Sequence, residues 1–459
     1  MENSNHRMKS EKSIEKQVGI EVYSTSEIEG IGGIYKNNYK DFIVKEILKD
    51  GTTLSIKEDY SSNSFLEQQN DRYTTFNLIK INKDSFDAFR EISKALKIPR
   101  DLIYYSGLKD KCSISVQKVS IAGNYLDKIK KLKIRDSFFR SIRSSKKPVK
   151  IGDNWGNNFT ITIRNIDNKK SLNESINSII KYLLKHGFPN YYGLQRFGIY
   201  RPNSHLVGRY LLEGRYKEAF EEFVTKIYPT ENETLQKIRN NLKMDGDFRK
   251  AYEILPRSLY YERIMVKHLI NNPNDYEGCF KVLHKDIINL LISAFQSFIF
   301  NKMLSLRIKK GIPLTNPIKG DTISILEENN DHITQIKYVL GAKKGLYDKY
   351  LTKAIDLNRA RIILPIVGYE TNLSEFPLMK NILTESLEQE GIDINIFNSK
   401  LLNQYDFKGA FRAMMMKPTG LRVIELTKDN LYPGKMKLKI EFSLLKGSYA
   451  TMILRELIK

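Results

Sequence analysis

Residues 106–117 read SGLKDKCSISVQ and join a polar turn to a strand. Residues 106–111 have no hydrophobic periodicity. Residues 113–117 alternate polar and apolar side chains, which is typical of a half-buried strand. Asp110 therefore lies in a turn that leads into a strand. Directly upstream, a helix is predicted where apolar residues recur at helical spacing before Pro99. These residues are Phe86, Phe89, Ile92 and Leu96.

Strand-like segments flank this region. Residues 41–47 (DFIVKEI) and 73–81 (YTTFNLIKI) are rich in β-branched and aromatic residues, and residues 158–164 alternate cleanly. Near the C-terminus, residues 437–444 alternate in the same way, and an amphipathic helix over 450–458 follows. Helical patterns dominate from about residue 207 to 306. The middle of the chain is therefore interpreted as an insertion into the first domain.

The charge balance of the chain points to a polyanionic partner. Its 459 residues include 75 Lys and Arg against 53 Asp and Glu, so the formal net charge is +22, and nucleic acid is the leading candidate. The longest apolar stretch, residues 287–300, is too short to span a bilayer and is interpreted as a buried helix. The N-terminus lacks the apolar centre of a signal peptide. We therefore expect a cytoplasmic protein that does not engage a membrane.

The motifs indicate neither metal nor cofactor chemistry. Cys112 and Cys279 lie far apart and the six histidines are scattered, so no ligand cluster at the usual spacings is present. Residues 30–33 (GIGG) lack the third glycine of a dinucleotide fingerprint, and no phosphate-binding GxxxxGKS or GxxxxGKT loop occurs. We expect no metal and no cofactor. No protein partner is implied.

The most one-sided charge run is residues 128–150, which hold ten Lys and Arg and one acid, Asp136. Such charges can bind a phosphate backbone, which makes the last three lysines of the run RNA-binding candidates. They are Lys146, Lys147 and Lys150. A solvated surface run is the alternative interpretation. For the two aromatic residues that interrupt the run, Phe138 and Phe139, we predict a core position, and stacking of exposed rings on unpaired bases is the alternative.

Four segments of the chain together resemble the TruD family of tRNA pseudouridine synthases. In chain order they are residues 107–110 (GLKD), 156–159 (GNNF), 190–198 (NYYGLQRFG) and 447–451 (GSYAT). The resemblance covers most of the chain, and the long middle region is similar to the archaeal and eukaryotic branch. The chain departs from the family's GxKDxxAxTxQ motif where Ser113 replaces alanine and Ser115 replaces threonine. Both changes are small.

The resemblance implies roles for several residues. The catalytic aspartate of the family maps to Asp110, and Gln117 also matches. The phenylalanine of GNxF maps to Phe159 and would supply a flat surface for a uridine flipped out of the RNA stack. A plain core role is the alternative for Phe159, because it belongs to the alternating apolar face of its strand. Asn157 either orients the active-site loop or only satisfies a turn.

A nearby cation would favour the ionised form of Asp110 that the reaction needs. By analogy with the helix-borne arginine of related synthases, Arg455 is the first candidate, with a surface salt bridge as its alternative role. The neighbouring Lys109 is the second candidate. Within the NYYGLQRFG segment, Gln195 and Arg196 either line the RNA cleft or only lock two domains together.

The resemblance thus implies an α+β fold: a pseudouridine synthase catalytic domain with a mixed, largely antiparallel sheet, interrupted by a large inserted α+β TRUD domain. We place the catalytic domain at residues 1–189 and 418–459 and the insertion at 190–417, with RNA in the cleft between them. The expected activity is isomerisation of uridine to pseudouridine in tRNA, at position 13. A non-catalytic RNA-binding or RNA-remodelling protein on the same fold is the rival, and the intact catalytic motif disfavours it. A DNA-binding protein lacks any supporting signature.

Overall fold

The N-terminal part of the chain alternates strands and helices in the computed structural model, which describes residues 14–57, 72–327, 332–342 and 346–459. Its strands are β1 (Phe42–Leu48), β2 (Tyr73–Ile81), β3 (Ile103–Tyr105), β4 (Ile114–Ala122), β5 (Ser137–Ser145), β6 (Asn154–Ile166) and β7 (Phe188–Pro189). Its helices are α1 (Ser85–Leu96), α2 (Leu126–Lys131) and α3 (Leu172–His186). The strands predicted around residues 41–47, 73–81 and 158–164 and the helix before Pro99 are confirmed.

Helices dominate the middle of the chain. They are α4 (Ser204–Leu212), α5 (Tyr216–Phe220), α6 (Glu233–Asp245), α7 (Phe248–Ile254), α8 (Tyr260–Asn271), α9 (Tyr276–Lys281), α10 (Lys285–Lys309), α11 (Leu346–Asp356), α12 (Pro377–Gln389) and α13 (Lys400–Gln404). The interspersed strands are β8 (Thr322–Leu326), β9 (Ile333–Val339), β10 (Ala360–Ile366), β11 (Ala410–Ala413) and β12 (Met415–Met416). The chain ends with β13 (Thr419–Lys428), β14 (Met436–Leu445) and α14 (Ala450–Ile458), which confirms the predicted terminal strand and helix.

The chain divides into two compact units. The first includes Thr25–Phe188 and Met416–Lys459, and the second includes Pro189–Glu327 and Ile333–Met415 with the residues up to Ser24. Unlike the grouping predicted from the sequence, the described N-terminal residues therefore belong with the second unit. Two side chains of α10 hold their backbone there, because Asn301 and Ser305 donate hydrogen bonds of 3.0 and 2.7 Å to the carbonyls of residues 18 and 19. The predicted domain boundaries stay predictions.

The first unit is built on a sheet that has eight strands within the described residues. The order is β13-β14-β6-β1-β4-β2-β5, and β3 pairs with β4 beside this path. Only β1 and β4 run parallel among these described neighbours, and the other pairs are antiparallel. The prediction of a mixed, largely antiparallel sheet is confirmed.

The two faces of this sheet have different surroundings. One face, called the α1 face, packs against helix α1, and its buried core includes Phe76, Leu78, Val119, Ile121, Phe89 and Ile92. Because successive side chains of a strand point to opposite faces, Ile79 and Val116 lie on the other face, called the outer face. There they pack with Leu54.

The second unit combines helices with a sheet of order β11-β10-β8-β9. Helix α10 forms its core, and most of its apolar side chains are buried. Within the described part of the chain it is the one helix long and apolar enough to cross a membrane by length and composition, but 72% of that apolar window is buried inside the protein. It therefore has the burial expected of the core helix predicted at residues 287–300.

A buried ion network ties β6 to two loops of the first unit. The guanidinium of Arg164 donates to both carboxylate oxygens of Asp41, at 2.8 and 2.9 Å, and to Asp429 at 2.9 Å. Both carboxylates are almost fully buried. Asp41 also accepts the backbone N–H of Asn38 and closes the short 3-10 turn Tyr39–Asp41. The network therefore fixes the turn that precedes β1 against the sheet.

Replacing Arg164 with methionine should lower the free energy of unfolding of the first unit by about 3–5 kcal/mol, because two buried carboxylates lose their cation. Urea unfolding measures this loss. Arg422→Met is the matched control: Arg422 pairs with Glu441 at 2.6 Å but is 68% exposed, so its loss should cost about 0–1 kcal/mol. Equal losses for the two variants would contradict the role given to Arg164.

Candidate active site

Asp110 lies in the loop between β3 and β4, as predicted for a turn that leads into a strand. Its side chain is 26% exposed, and its carboxylate is 3.1 Å from the ammonium of Lys36. Lys36 has a left-handed backbone conformation (φ 55°), which is uncommon for a residue with a long side chain. The carboxylate is thus partly open to solvent while it is paired with a cation.

The turn that carries Lys36 is anchored on both sides. Before it, Ile34 exchanges two backbone hydrogen bonds of 2.8 Å with Arg164. After it, the capped turn that ends at Asp41 binds the guanidinium of the same arginine. The Lys36 ammonium also lies 4.4 Å from the centre of the Phe42 ring, a cation–π contact. The surrounding structure therefore holds a strained residue in place, as is common at functional sites.

Glu46 of β1 holds the start of the Asp110 loop. Its fully buried carboxylate accepts hydrogen bonds from the hydroxyl of Ser106 at 2.5 Å and from the backbone N–H of Lys118 at 3.1 Å. It also pairs with the ammonium of Lys109 at 2.8 Å. Lys109, the second predicted partner of Asp110, therefore has its charge bound to Glu46. Its contribution is to fix the loop rather than to pair with the neighbouring carboxylate.

Two further buried side chains hold the loop backbone. Gln117 of β4 donates its amide to the carbonyl of Gly107 at 3.2 Å. Lys80 of β2 donates its ammonium to the backbone carbonyl of Asp110 and, at 2.9 Å, to that of Lys83. Both side chains are fully buried. Together with Glu46, they hold the Asp110 loop against three neighbouring strands.

Lys80 is the most electrostatically perturbed group near Asp110. Burial lowers the pKa of Lys80 to about 8, although the carboxylates of Asp110 and Asp84 act in the opposite direction. The positive charges of Lys109 and Lys36 lower this pKa further. Three lysine ammonium groups therefore lie at the Asp110 loop, where Lys36 pairs with the Asp110 carboxylate, Lys109 pairs with Glu46 and Lys80 binds the loop backbone.

The strand register places these groups on the α1 face. Cross-strand partners form one row over five strands, which runs through Lys80, Ser115, Val44, Phe159 and Phe442. In the next row, Asn157 is paired with Glu46. Side chains of directly opposite residues share a face, so a row of this kind brings polar and aromatic groups from distant parts of the sequence together.

Phe159 lies in an aromatic cluster. Its ring stacks on Phe442, with centroids 5.5 Å apart, and meets Phe42 edge-on at 6.1 Å. The side chain is only 7% exposed, so the core contacts anticipated as its alternative role are present. Its role as a surface for a flipped base stays a prediction. Asn157 is half-buried as a residue, and its side-chain oxygen is itself buried and accepts no hydrogen bond from the described residues.

Arg455 lies on α14 and is buried. Its guanidinium is 3.6 Å from the carboxylate of Glu456, which in turn accepts hydrogen bonds from the backbone and hydroxyl of Thr25. Burial contradicts the alternative of a surface salt bridge, because both partners are shielded from water. The pairing of Arg455 with Asp110 stays a prediction.

The predicted RNA-binding residues lie on two different units. Gln195 and Arg196 belong to the second unit, where Gln195 is exposed and Arg196 donates to the hydroxyl of Ser297 at 3.2 Å. The three lysines predicted near the end of the basic run belong to the first unit and are all exposed; they are Lys146, Lys147 and Lys150. RNA contacts at these positions stay predictions.

The core prediction for the aromatic pair of the basic run is half wrong. Phe139 is buried against Phe76 on the α1 face, with ring centres 5.4 Å apart. Phe138 is 44% exposed. Consecutive residues of a strand point to opposite faces, so only one of the two rings can face the same core.

The sequence reasoning missed Lys36, Lys80 and Glu46. Lys80 and Glu46 each interrupt a strand that is otherwise mostly apolar, and a charged residue at such a position is a usable signal of a buried polar site. Lys36 carried no comparable signal, because its contact with Asp110 joins residues 74 positions apart.

Comparisons with known proteins found a matching family model, similar relatives and a similar solved structure. The family model described as tRNA pseudouridine synthase D (TruD) matches residues 17–457. The chain is 34% identical over 453 residues to a "Probable tRNA pseudouridine synthase D" of Methanosarcina barkeri, with 97% of each chain covered. It is 30% identical to a protein of the same name from Thermococcus sibiricus, over 95% of this chain and 96% of the relative. A crystal structure from Methanosarcina mazei is described as "Putative tRNA pseudouridine synthase D (TruD)". It superposes with a TM-score of 0.78 at 33% identity, and the match covers 97% of this chain and 98% of that one.

The perturbed pKa of Lys80 predicts a pH-dependent stability. The pKa of about 8 in the folded protein lies below the ordinary 10.5, so the unfolded chain binds more protons than the folded one between these values. The free energy of unfolding should therefore rise with pH in this window, by at most about 1.4 kcal/mol per pH unit. Urea unfolding of the wild type and of Lys80→Met between about pH 7 and about pH 10 isolates the effect. A difference between the two proteins that stays constant with pH would rule it out.

Proposed function

Because this chain belongs to the TruD family of tRNA pseudouridine synthases, we propose that it converts uridine 13 of tRNA to pseudouridine with Asp110 as the catalytic carboxylate. The observation that carries the proposal is the ion pair of 3.1 Å between Asp110 and Lys36, on a loop fastened to three strands. A catalytic carboxylate needs a fixed position, and the ion pair and the hydrogen-bonded loop provide one.

The reaction is an isomerisation that needs groups of this kind. The N1–C1′ bond of uridine breaks, the uracil turns, and a C5–C1′ bond forms. C5 then loses its proton while N1 gains one, so that no atoms are added and no oxidant or reductant is consumed. An ionised carboxylate can attack the sugar carbon as a nucleophile or can take a proton from the sugar. Asp110 is the proposed group for either route.

The neighbouring residues have separate proposed tasks. Lys36 pairs with the carboxylate and keeps it oriented, whereas Lys109, Gln117 and Lys80 hold the loop that carries it. The uridine must leave the RNA stack to reach Asp110, and a flipped base is usually received between apolar side chains and hydrogen-bonding groups. Phe159, within its aromatic cluster, and Asn157 lie on the same sheet face and are the proposed groups of these two types.

Asp110→Asn should abolish pseudouridine formation while RNA affinity stays nearly unchanged, because size and polarity are retained and a single residue contributes little to a large binding face. Lys36→Met should lower kcat by about 10- to 100-fold, since one charge-assisted hydrogen bond to the reacting group is lost. Pseudouridine formation at saturating tRNA measures both effects.

Lys40→Met is the matched control for Lys36→Met. It removes the same charge four residues further along, from an exposed side chain beside the same turn. Its kcat should equal that of the wild type. Turnover by purified Asp110→Asn above background would exclude Asp110 as the catalytic group, and equal kcat values for the two lysine variants would exclude a role for the Lys36 pair.

We propose that the basic run, residues 128–150, contributes to RNA affinity through contacts with phosphates. Each lost phosphate contact flattens the slope of log affinity against log salt by about 0.9 on duplex and about 0.7 on single strands. A triple variant in which glutamine replaces Lys146, Lys147 and Lys150 should therefore have a slope reduced by about two to three units. Its affinity for different tRNAs should fall to a similar extent. Catalysis on bound tRNA should change little, because phosphate contacts position the RNA.

A second triple variant separates local contacts from total charge. Lys349, Lys353 and Lys400 are exposed lysines of the second unit, and their replacement with glutamine changes the net charge equally. This variant should keep the wild-type slope. Superimposable salt titrations of the wild type and both variants would remove residues 146–150 from the RNA interface.

A further inference from the structure

An exposed aromatic ring lies in the middle of the basic run. Strand β5 forms one edge of the large sheet, and its residue Phe138 is 44% exposed. The guanidinium of Arg140 lies over this ring, 6.0 Å from its centre. Phenylalanine has no polar group that would favour exposure, and a planar ring with cations beside it can stack on an unpaired base.

A β-bulge aligns this ring with two arginines. The pairing of β5 with β2 shifts register near Ser141, which has a left-handed backbone conformation (φ 48°). As a result, three side chains of β5 lie opposite residues that all point to the outer face. The pairs are Phe138 with Ile79, Arg140 with Asn77, and Arg143 with Thr75. Without the inserted residue, the last arginine would point to the α1 face.

Further cations surround these three side chains on the outer face. Lys118 of β4 is the cross-strand partner of Asn77, so it lies in the row of Arg140. The exposed lysines that follow β5 continue the positive surface; they are Lys146, Lys147 and Lys150. The only acid of the run, Asp136, is itself paired with Arg135 at 3.4 Å. The charge of this edge therefore complements a phosphate backbone.

Protection of the sheet edge does not account for the whole arrangement. Charged side chains on an edge strand discourage pairing with other chains, which is a sufficient reason for the arginines and lysines. An exposed phenylalanine has the opposite effect, because it adds apolar surface at the same edge. The combination of one stacking ring with surrounding cations is instead typical of surfaces that bind unpaired nucleotides.

We propose that the outer face of β5 binds an unpaired nucleotide of the RNA, with its base stacked on Phe138 and its phosphates held by Arg143 and the lysines. The identity of this RNA as the tRNA substrate rests on the proposed function. Ser137, the residue before Phe138, is the cross-strand partner of Lys80, which binds the backbone of Asp110. The stacked nucleotide therefore lies at the end of the sheet that carries the catalytic loop, and it is distinct from the uridine that reacts.

Substitutions of Phe138 test the stacking. Phe138→Ala and Phe138→Leu should weaken binding of tRNA and of a short single-stranded RNA by about 5- to 150-fold, whereas Phe138→Tyr should bind as the wild type does. Binding of a duplex of the same length should not change. The salt slope should stay constant for these variants but fall by about 0.7 for Arg143→Gln. The kcat of Phe138→Ala, measured at saturating tRNA, should equal that of the wild type. Its KM for tRNA should be higher.

Phe86 provides a matched control. Its ring is 42% exposed and lies under the guanidinium of Arg100 at 4.5 Å, but two acids, Asp84 and Asp87, are close to it in sequence. Phe86→Ala should therefore leave the affinity for every RNA unchanged. The comparison of the two alanine variants separates a general effect of losing an exposed ring from an effect specific to position 138.

The leucine and tyrosine variants keep the test decisive even if the alanine variant folds poorly. Wild-type affinity of Phe138→Leu for single-stranded RNA, or a tyrosine variant as weak as leucine, would overturn the stacking. A change of oligomeric state with unchanged RNA affinity would assign the edge to a protein contact and overturn it as well. These binding measurements do not depend on turnover, so a wild type that binds through Phe138 but forms no pseudouridine would refute the proposed function alone.

Discussion

The position of Asp110 depends on the need of buried polar groups for hydrogen-bond partners. Glu46, Lys80 and Gln117 are fully buried in the sheet, and an unpaired polar or charged group there would cost several kcal/mol. Each of them finds a partner in the loop of residues 106–113. The loop therefore has one favourable position, and a displaced loop would leave buried groups unpaired. Through this coupling, the irregular loop has a position as fixed as that of the sheet that holds it.

The same constraint links the fold to the proposed chemistry. The three side chains come from three neighbouring strands, and a slip of one residue in any strand would turn its side chain to the other face. Register thus decides whether the loop is held at all. The anchored turn of Lys36 adds a cation that pairs with the carboxylate, so the carboxylate is oriented before RNA binds. Preorganised charges of this kind avoid reorganisation during the reaction.

Periodicity was sufficient to predict the local elements. The strands near residues 41–47, 73–81 and 158–164 and the turn at Asp110 follow from side-chain alternation and turn composition. The contact of Lys36 with Asp110 could not be predicted, because it depends on a left-handed residue held by long-range contacts. Lys109 is the second candidate partner of Asp110 from the sequence, and the structure pairs its ammonium with the buried Glu46. Phe138 was assigned to the core because the edge position of β5 and its bulge cannot be read from composition.

The most direct test of the account is to map pseudouridines in unmodified tRNA, nucleotide by nucleotide, after incubation with the purified protein. The account predicts a new pseudouridine at position 13, formed by the wild type and absent when Asp110 is replaced by asparagine. No pseudouridine with the wild type, or the same pseudouridine with both proteins, would contradict it.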